Sequence, residues 1–476
     1  MLFRRTTRYL INFIKKREKQ LVFIKNILAK FQSSKMLKNI TKISSGTMLG
    51  QMVSFVTLPI FTRIYGAEVI GNWTLFNSVA TIVNTFSDLG LSNAIMVEAD
   101  EKESEKLFSV ISTFVLFFSI IVAIGFGIYY NVFPSTSGIN PLFYAVVLGI
   151  LIFTQQQTQL SYSWLNKKSQ YDVLMKNPIV NNISIAIVAI PLGFMGFTKY
   201  GYYLGLISGQ IITLIHMRRF IPKLFFDLNI KNHIHVIKKY NEYIKYQMPT
   251  YMLAQVKNQA PVILIRSFFG SKILGYYSVS QRILAIPINL LANAIGKVYY
   301  QTVADMAQKK ENVGEFTFKN IKRAMRLAII PMIGIMAFGD IFCIIFFGAD
   351  YYIAGNIIRI VSFMTFFTFL MLATQGITIV LHKQQYALYS AFVQIVGYFG
   401  ALSLGKYVFN SVYFACAFMT IVFCLVQVVY FCFIFKSASV NPIRYIKELI
   451  LNLAVIIGSV VVIRIILLYF GFTSGF

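Results

Sequence analysis

Long apolar stretches alternate with short polar segments along the whole chain. The apolar stretches are long enough to cross about 30 Å of hydrocarbon as helices. They lie near positions 43–61, 70–97, 107–130, 141–164, 174–197, 200–219, 246–269, 273–304, 322–347, 355–381, 386–404, 409–435 and 447–470. The pattern predicts an all-α polytopic membrane protein with about 12 to 14 transmembrane helices, thirteen being the best count.

Polar residues recur on one side of the helix predicted over 273–304, and they are Arg282, Asn289, Asn293, Lys297 and Tyr300. A charged side chain at the bilayer centre costs about 2.5–3.5 kcal/mol on insertion scales. The two cations therefore need water or a partner. We interpret Arg282, Asn289, Asn293 and Lys297 as one wall of a substrate-binding cavity.

A second polar stripe follows the predicted helix over 70–97, where Asn77, Asn84 and Asp88 share one face. Two interpretations of Asp88 stay open. Its carboxylate could neutralise Lys297 or Arg282 structurally. Alternatively, Asp88 with Asn84 and Asn77 could bind a coupling ion, because intramembrane carboxylates commonly relay protons or sodium.

Four further cations are candidates for the cavity wall. Lys257 is near the middle of its predicted helix, too deep to reach the interface. We expect it to face the cavity, the alternative being a structural pair with a carboxylate. Arg63, Arg266 and Arg359 lie near helix ends, where an interfacial anchor is as good an explanation as a contact with substrate.

The segments GAEVIGNWTL from Gly66 and GSKILGYYSV from Gly270 share glycine spacing and aromatic and hydroxyl positions. Six predicted helices separate the copies, and an even number gives both the same orientation, related by an axis along the membrane normal. The alternative is a chance likeness of two aromatic-rich helices. The repeat predicts two six-helix bundles around a central cavity.

The domain boundaries follow from this repeat. The expected units are a basic N-terminal extension, two bundles joined by a cytoplasmic linker, and an additional transmembrane helix. The extension is 1–35, the first bundle 36–220 and the linker 221–245. The second bundle is 246–435, and the additional helix lies in 436–476. The extension is interpreted either as an interfacial helix or as the product of an upstream start codon, with the native chain beginning at Met36.

Composition supports the membrane assignment, with 57% hydrophobic residues and only 13% charged. The net charge of +27 does not require nucleic acid, because the cations sit in short segments between apolar runs. Lysine and arginine concentrate on every second connection, which places the N-terminus in the cytoplasm.

Catalytic and cofactor chemistry is poorly represented. The segment 400–406, GALSLGK, matches the spacing of a phosphate-binding loop, but Tyr407 replaces the required serine or threonine. Cysteines lie in apolar runs and histidines near the cytoplasmic face, which indicates neither disulfides nor zinc. The acidic cluster over 98–105 is interleaved with lysines and predicts a solvated turn. We expect neither an enzyme nor a cofactor.

The first two predicted helices carry a family resemblance. The segments GTMLGQMVSFVTLPIFTRIYGAEVIGNWTLFNSVATIV and FSDLGLSNAIM, with the stretch Pro59 to Gly66, resemble Wzx-type polysaccharide flippases of the multidrug, oligosaccharidyl-lipid and polysaccharide exporter superfamily. The resemblance implies a MATE-like fold that moves an undecaprenyl-pyrophosphate-linked oligosaccharide to the outer leaflet of a bacterial cytoplasmic membrane. Arg282, Lys297 and Lys257 match the expected cationic cavity by chemistry and placement.

The resemblance also implies partners: membrane lipids, the lipid-linked substrate, and the polymerase and chain-length machinery of O-antigen or capsule assembly. Two other functions remain open. One is a cation-coupled drug antiporter of the same superfamily, which should have a cavity dominated by carboxylates. The other is a membrane-embedded glycosyltransferase or polymerase, which the short and nearly uncharged outer loops disfavour.

Overall fold

The computed structural model describes residues 35–132, 139–223 and 226–471. Helices make up nearly all of these residues, and no β-strand occurs among them. In chain order, the α-helices α1 to α15 are Lys35–Asn84, Ala94–Val97, Glu101–Val132, Pro141–Lys167, Tyr171–Phe194, Gly201–Met217, Ile230–Lys239, Met248–Pro287, Asn293–Gln308, Val313–Phe347, Tyr352–Ala373, Ile377–Val380, Gln385–Tyr407, Val412–Ser437 and Pro442–Tyr469. The predicted extension lies outside the described residues, apart from Lys35.

Within the described residues, eight helices are long and apolar enough to cross a membrane. The prediction of an all-α polytopic membrane protein is therefore confirmed. The total of thirteen spans and the division into two six-helix bundles stay predictions. Helices α4 and α8 fall outside the eight, and both carry several glutamines in their middle turns.

Two glycines break long helices at corresponding places. Gly66 has φ 71° and ψ 171° inside α1, and Gly270 has φ 87° and ψ 175° inside α8. Neither glycine has an atom within 4 Å of the place where a Cβ would be, so the backbone conformation rather than crowding requires glycine. We name the segments on either side α1a (35–65), α1b (67–84), α8a (248–269) and α8b (271–287).

Segments α1b and α8b meet backbone to backbone directly after these breaks. A Cβ on Gly71 would lie 1.9 Å from the carbonyl oxygen of Ser271, and one on Gly275 would lie 1.8 Å from that of Ala67. The two contacts are reciprocal under the shift of 204 residues that relates Thr74 to Ser278, whose hydroxyls are hydrogen-bonded at 2.8 Å. This central crossing agrees with the predicted repeat.

The linker between the predicted bundles forms α7, which docks on one face of the molecule. We call this face, which includes Glu98, Lys168 and Lys239, the basic face. Val236 is buried against this face, and the backbone of Asp227 exchanges hydrogen bonds with the Thr113 hydroxyl at 2.9 and 3.1 Å. Lys239 lies 2.7 Å from a carboxylate oxygen of Glu98. The linker is thereby fixed to helices that precede it in the chain.

The acidic cluster at this face is more ordered than a solvated turn. Glu98, Glu101 and Glu103 accept hydrogen bonds or form ion pairs with Lys239, Lys168 and Lys106, respectively. The lysines that interleave with the acids in the sequence supply only one of these partners. Of the others, Lys168 follows directly after α4 and Lys239 ends α7.

The last helix, α15, is held by an ion pair that crosses to α10. Arg464 is 1% exposed, and its guanidinium lies 2.8 and 2.9 Å from the two carboxylate oxygens of Asp340. Removing one partner of a buried pair typically costs about 3–5 kcal/mol, because the other charge is left alone. Asp340 and Arg464 thus attach the additional predicted helix to the rest of the fold.

We predict that Gly275→Ala destabilises the central crossing, because the new methyl would overlap the backbone carbonyl of Ala67. Overpacking of this kind costs about 1–3 kcal/mol. Thermal unfolding of the purified protein in detergent should show a lower midpoint for this variant. Gly125→Ala is the control, since nothing lies within 4 Å of its Cβ position; equal midpoints for both variants would contradict the proposed close packing.

We predict that Glu98→Gln loosens α7. Hydrogen bonds from Lys239 and Tyr240 lower the pKa of Glu98 from 4.5 to about 2. The charged form is therefore favoured in the folded protein, so the contact stabilises docking fully above about pH 4.5 and fails as the pH falls toward 2. A spin label at position 238 should become more mobile in the variant at pH 7, and in the parent protein on acidification.

The matched control for this measurement is Glu242→Gln, an exposed carboxylate for which no ion pair occurs within the described ranges. Its label should keep the mobility of the parent protein. Equal mobility in the Glu98 and Glu242 variants would show that the Glu98 contact does not hold α7.

Candidate functional site

The polar stripe on α8b and α9 runs along a contact between early and late helices. The Arg282 guanidinium donates a hydrogen bond to the Tyr202 hydroxyl of α6 at 3.1 Å. The Lys297 ammonium donates to the Ser44 hydroxyl of α1a at 3.1 Å. Both side chains thus belong to the predicted second bundle and contact helices of the predicted first bundle. We call this contact, between α8b–α9 and helices α1 and α6, the seam.

Arg282 and Lys297 mark two depths along the seam. They are 15 residues apart (297 − 282), which is about 22 Å at helical rise. Tyr202 is near the start of α6, and Ser44 is near the start of α1. These two helices begin on opposite sides of the helical region. The two cations therefore lie toward opposite membrane faces, Lys297 on the basic side.

The helix changes its geometry between these cations. A π-helical turn over Ile288–Ala292 follows Pro287, and such turns are common at functional sites. Asn293 begins α9 and is half-buried. The side chain of Asn289 lies outside the described part of the chain, so its predicted place in the wall stays a prediction.

Lys257 occupies a different place from the seam cations. It lines a cavity of about 470 Å³ whose walls come entirely from helices α8 to α14. Gln281, Gln394 and Gln427 line the same cavity, whereas Arg282 and Lys297 do not. The structure therefore separates Lys257 from the two cations with which the sequence analysis grouped it. We call this cavity the Lys257 chamber.

The stripe on α1b is largely engaged in local contacts. Asn77 accepts a hydrogen bond from Gln155 of α4 at 2.9 Å. Asn84 accepts one from the Ser87 hydroxyl at 2.7 Å. These two amides therefore join the end of α1 to its neighbours, and a role in ion binding is for them a prediction only.

Asp88 caps the turn that follows α1. Its carboxylate is 8% exposed and accepts hydrogen bonds from the backbone amides of Gly90 at 3.0 Å and Ser92 at 3.3 Å. No ion pair between Asp88 and a lysine or arginine occurs among the described residues. The structure thus gives no sign that Asp88 neutralises Arg282 or Lys297, and its assignment as a coupling-ion site stays a prediction.

The three remaining candidate cations, Arg63, Arg266 and Arg359, are dispersed. Arg63 donates to the backbone carbonyl of Ile345 at 3.4 Å. Arg266 has its Nε atom buried, with no hydrogen-bond partner in the described ranges. Arg359 lies 4.0 Å from Asp340 and so belongs to the ion pair that holds α15. None of the three lines the Lys257 chamber.

Sequence reasoning missed several residues of these sites. Gln427 is fully buried in the middle of α14, and a single glutamine in an apolar run was a usable signal. Tyr202 and Ser44 gave no signal, because a tyrosine and a serine at helix ends are common in membrane proteins. Asp340 and Arg464 went unnoticed because their pairing joins positions 124 residues apart.

The charges inside the helical region differ in their partners. Arg464 and Arg359 share Asp340, whereas Arg282 and Lys297 make hydrogen bonds only to neutral hydroxyls within the described structure. No carboxylate lines the Lys257 chamber. A cation that lacks a counter-charge in this setting must be hydrated or receive an anionic ligand.

Comparison with known families gives one match of wide extent. Residues 60–354, well over half of the chain, match the model of the family described as polysaccharide biosynthesis protein. This range begins in α1a and ends in α11, and so includes both breaking glycines and the whole seam on α8b and α9.

Two curated relatives are similar over about two thirds of the chain. The succinoglycan biosynthesis transport protein ExoT of Rhizobium meliloti is 20% identical over 65% of this chain and 62% of its own length. The probable low-salt glycan biosynthesis flippase Agl15 of Haloferax volcanii is 23% identical over 67% of each chain. The chain thus spans about two thirds of the relatives it matches.

Solved structures agree with the fold. The lipid II flippase MurJ in an inward closed conformation superimposes with a TM-score of 0.69 at 16% identity, covering 91% of this chain and 93% of that one. An inward-facing multidrug resistance MATE family transporter of the MOP superfamily gives 0.60 at 13% identity, covering 84% and 98%. The prediction of a MATE-like fold is confirmed.

We predict that cysteines at positions 74 and 278 form a disulfide across the central crossing. The Thr74 and Ser278 hydroxyl oxygens are 2.8 Å apart, so Thr74→Cys with Ser278→Cys brings two thiols within bonding reach. Mild oxidation followed by mass spectrometry of the peptides should detect the crosslink. Thr81→Cys with Ser278→Cys is the control, about 10 Å further along α1b; equal yields would contradict the crossing.

Proposed function

The chain belongs to the polysaccharide biosynthesis protein family, and we propose that it is a flippase that moves a lipid-linked oligosaccharide between the leaflets of a membrane. Its apolar helices make it a multi-pass membrane protein. The relatives named above are transporters and flippases rather than catalysts, which supports a transporter and not an enzyme.

The observation that carries this proposal is the state of the seam cations. Arg282 and Lys297 lie between early and late helices and are held by single neutral hydroxyls. A pyrophosphate cannot enter hydrocarbon unpaired, because burying an isolated charge costs far more than a hydrogen bond returns. Fixed cations along a hydrated seam lower that barrier, while a prenyl tail can stay in the lipid.

We propose undecaprenyl pyrophosphate as the lipid carrier and alternating access as the mechanism. The head group first meets Lys297, which lies toward the basic face, and then Arg282, which lies toward the opposite face. The hydroxyl partners of both cations would be exchanged for phosphate oxygens, which form stronger, charge-assisted hydrogen bonds. Binding at each cation must stay moderate, so that the head group can leave.

The direction of transport and the membrane are further parts of the proposal. The basic face is expected to be cytoplasmic, and we propose a bacterial cytoplasmic membrane with transport toward the outer leaflet. A membrane potential that is negative inside favours outward movement of an anion by about 2.3 kcal/mol per charge and 100 mV. This drive would act together with any coupled ion. A polysaccharide polymerase is the expected consumer of the product.

The antiporter alternative receives less support. It expects a cavity rich in carboxylates, and the residues that line the Lys257 chamber include none. Asp340, an intramembrane carboxylate that the sequence analysis did not single out, is engaged by Arg464. Asp88 is engaged by backbone amides. The described charges therefore favour an anionic over a cationic cargo.

We predict that Arg282→Gln and Lys297→Gln each slow translocation at least tenfold. Charge-assisted hydrogen bonds contribute about 1.5–3 kcal/mol, and 1.4 kcal/mol corresponds to a factor of ten. The assay follows a fluorescent oligosaccharide on undecaprenyl pyrophosphate in proteoliposomes, where a lectin reports its arrival in the outer leaflet. Lys436→Gln, an exposed cation at the basic face, is the matched control and should retain the parent rate.

The outcome separates the seam assignment from the function. Normal rates in both variants would contradict the role of the seam cations. Absence of translocation by the unaltered protein, under an imposed potential of either sign, would contradict the flippase proposal itself.

A further inference from the structure

The Lys257 chamber lies deep inside the C-terminal helices. Its volume of about 470 Å³ is within the range of about 300–1,000 Å³ that is typical of small-molecule sites. Lys257, Gln281, Thr365, Gln394 and Gln427 come from α8a, α8b, α11, α13 and α14. Lys257, Thr365, Gln394 and Gln427 lie near the middle of their helices, so the chamber is near the membrane midplane, where unsatisfied polar groups are most costly.

Gln427 gives this chamber unpaired hydrogen-bonding groups. Its side chain is fully buried, and within the described structure neither its amide nitrogen nor its amide oxygen has a hydrogen-bond partner. Leaving such a group unsatisfied costs about 1–3 kcal/mol. Because both atoms are unpaired, a ligand that satisfied them would accept a hydrogen bond from Nε2 and donate one to Oε1, as a hydroxyl group can.

Gln394, on the facing helix, is a useful contrast. It donates to the Ser390 hydroxyl at 2.8 Å, and its amide oxygen lies 3.4 Å from the Tyr398 hydroxyl. Its hydrogen bonds are made within its own helix, which fixes the orientation of Tyr398 at the chamber wall. An unpaired amide is thus a particular property of Gln427 and not of every glutamine in this cavity.

Lys257 gives the chamber a positive charge, which a ligand would have to balance. It is half-buried, no ion pair or hydrogen bond to it occurs among the described residues, and no carboxylate lines the chamber. A ligand that supplied the counter-charge of Lys257 would therefore be negatively charged. Chloride would leave the amide oxygen of Gln427 without a donor, and a neutral sugar would leave Lys257 without a counter-charge.

We propose that the Lys257 chamber binds a hydroxylated carboxylate, namely an acidic sugar residue of the translocated glycan. Lys257 pairs with the carboxylate, and Gln427 both donates to and accepts from ring hydroxyls. Tyr277, Tyr398 and Phe423 also line the chamber and offer aromatic surface to the apolar face of a sugar ring. This inference rests on the proposed function and adds to it a class of substrate.

The first test measures binding to the purified full-length protein in detergent. Sodium D-glucuronate should raise the thermal unfolding midpoint in a saturable manner, because a ligand that binds only the folded state stabilises it. D-glucose supplies hydroxyls without charge, and sodium chloride supplies charge without hydroxyls; at matched ionic strength, neither should reproduce the shift.

Two chamber variants and two controls sharpen this test. Lys257→Met and Gln427→Leu should each raise the glucuronate concentration needed for half of the shift at least tenfold. Lys436→Met and Gln170→Leu alter exposed residues and should keep the parent value. Equal shifts with glucose, an unchanged response in Lys257→Met, or no shift at all would overturn the proposal, the last showing that the chamber holds only water.

The second test asks whether the acidic sugar is recognised as part of the lipid-linked glycan. Proteoliposomes are given two undecaprenyl-pyrophosphate glycans that differ only in a glucuronate or a glucose residue. The unaltered protein should prefer the acidic glycan, and Lys257→Met should reduce that preference at least tenfold. Translocation of both glycans at equal rates would overturn the inference while leaving the flippase proposal intact, whereas translocation of neither would contradict the flippase proposal.

Discussion

A charge inside a bilayer must be paired with a counter-charge or kept in contact with water, and this constraint separates the cations of this chain into two groups. Arg464 and Arg359 share Asp340, and the first of these contacts attaches α15 to α10. Arg282 and Lys297 have hydroxyl partners only, within the part of the chain that the structure describes. The first group stabilises the fold, and the second remains available to an anion.

The central crossing determines where that available group can lie. Gly66 and Gly270 turn the chain, and Gly71 and Gly275 then allow α1b and α8b to touch along their backbones. Because α8b continues into α9, the same helix that forms the crossing carries both seam cations. Close contact at one end of this helix fixes its direction. Beyond the crossing, this helix contacts α6 and α1a through the side chains of Arg282 and Lys297.

The fold class could be predicted from the sequence because hydrocarbon thickness fixes the length of an apolar run. The repeated glycine segments also located the two helix breaks. Contacts between distant positions could not be predicted, since nothing local in the sequence pairs Asp340 with Arg464 or Arg282 with Tyr202. Helical periodicity placed Asp88 on a polar face, but the carboxylate lies past the end of α1 and binds backbone amides instead.

Hydroxyl partners suit cations that must change ligands repeatedly. A carboxylate beside Arg282 would compete with phosphate oxygens, and breaking that buried pair would leave a second charge unpaired. The Tyr202 and Ser44 hydroxyls are neutral, so a phosphate that displaces them leaves behind groups that water can satisfy. Lys257 in the chamber also lacks a carboxylate partner, but it differs from the seam cations because it has no hydroxyl partner among the described residues. The unpaired amide of Gln427 lines the same cavity. In the proposed function, the seam passes any pyrophosphate, whereas the proposed ligand of the chamber lets it distinguish the sugars attached to that pyrophosphate.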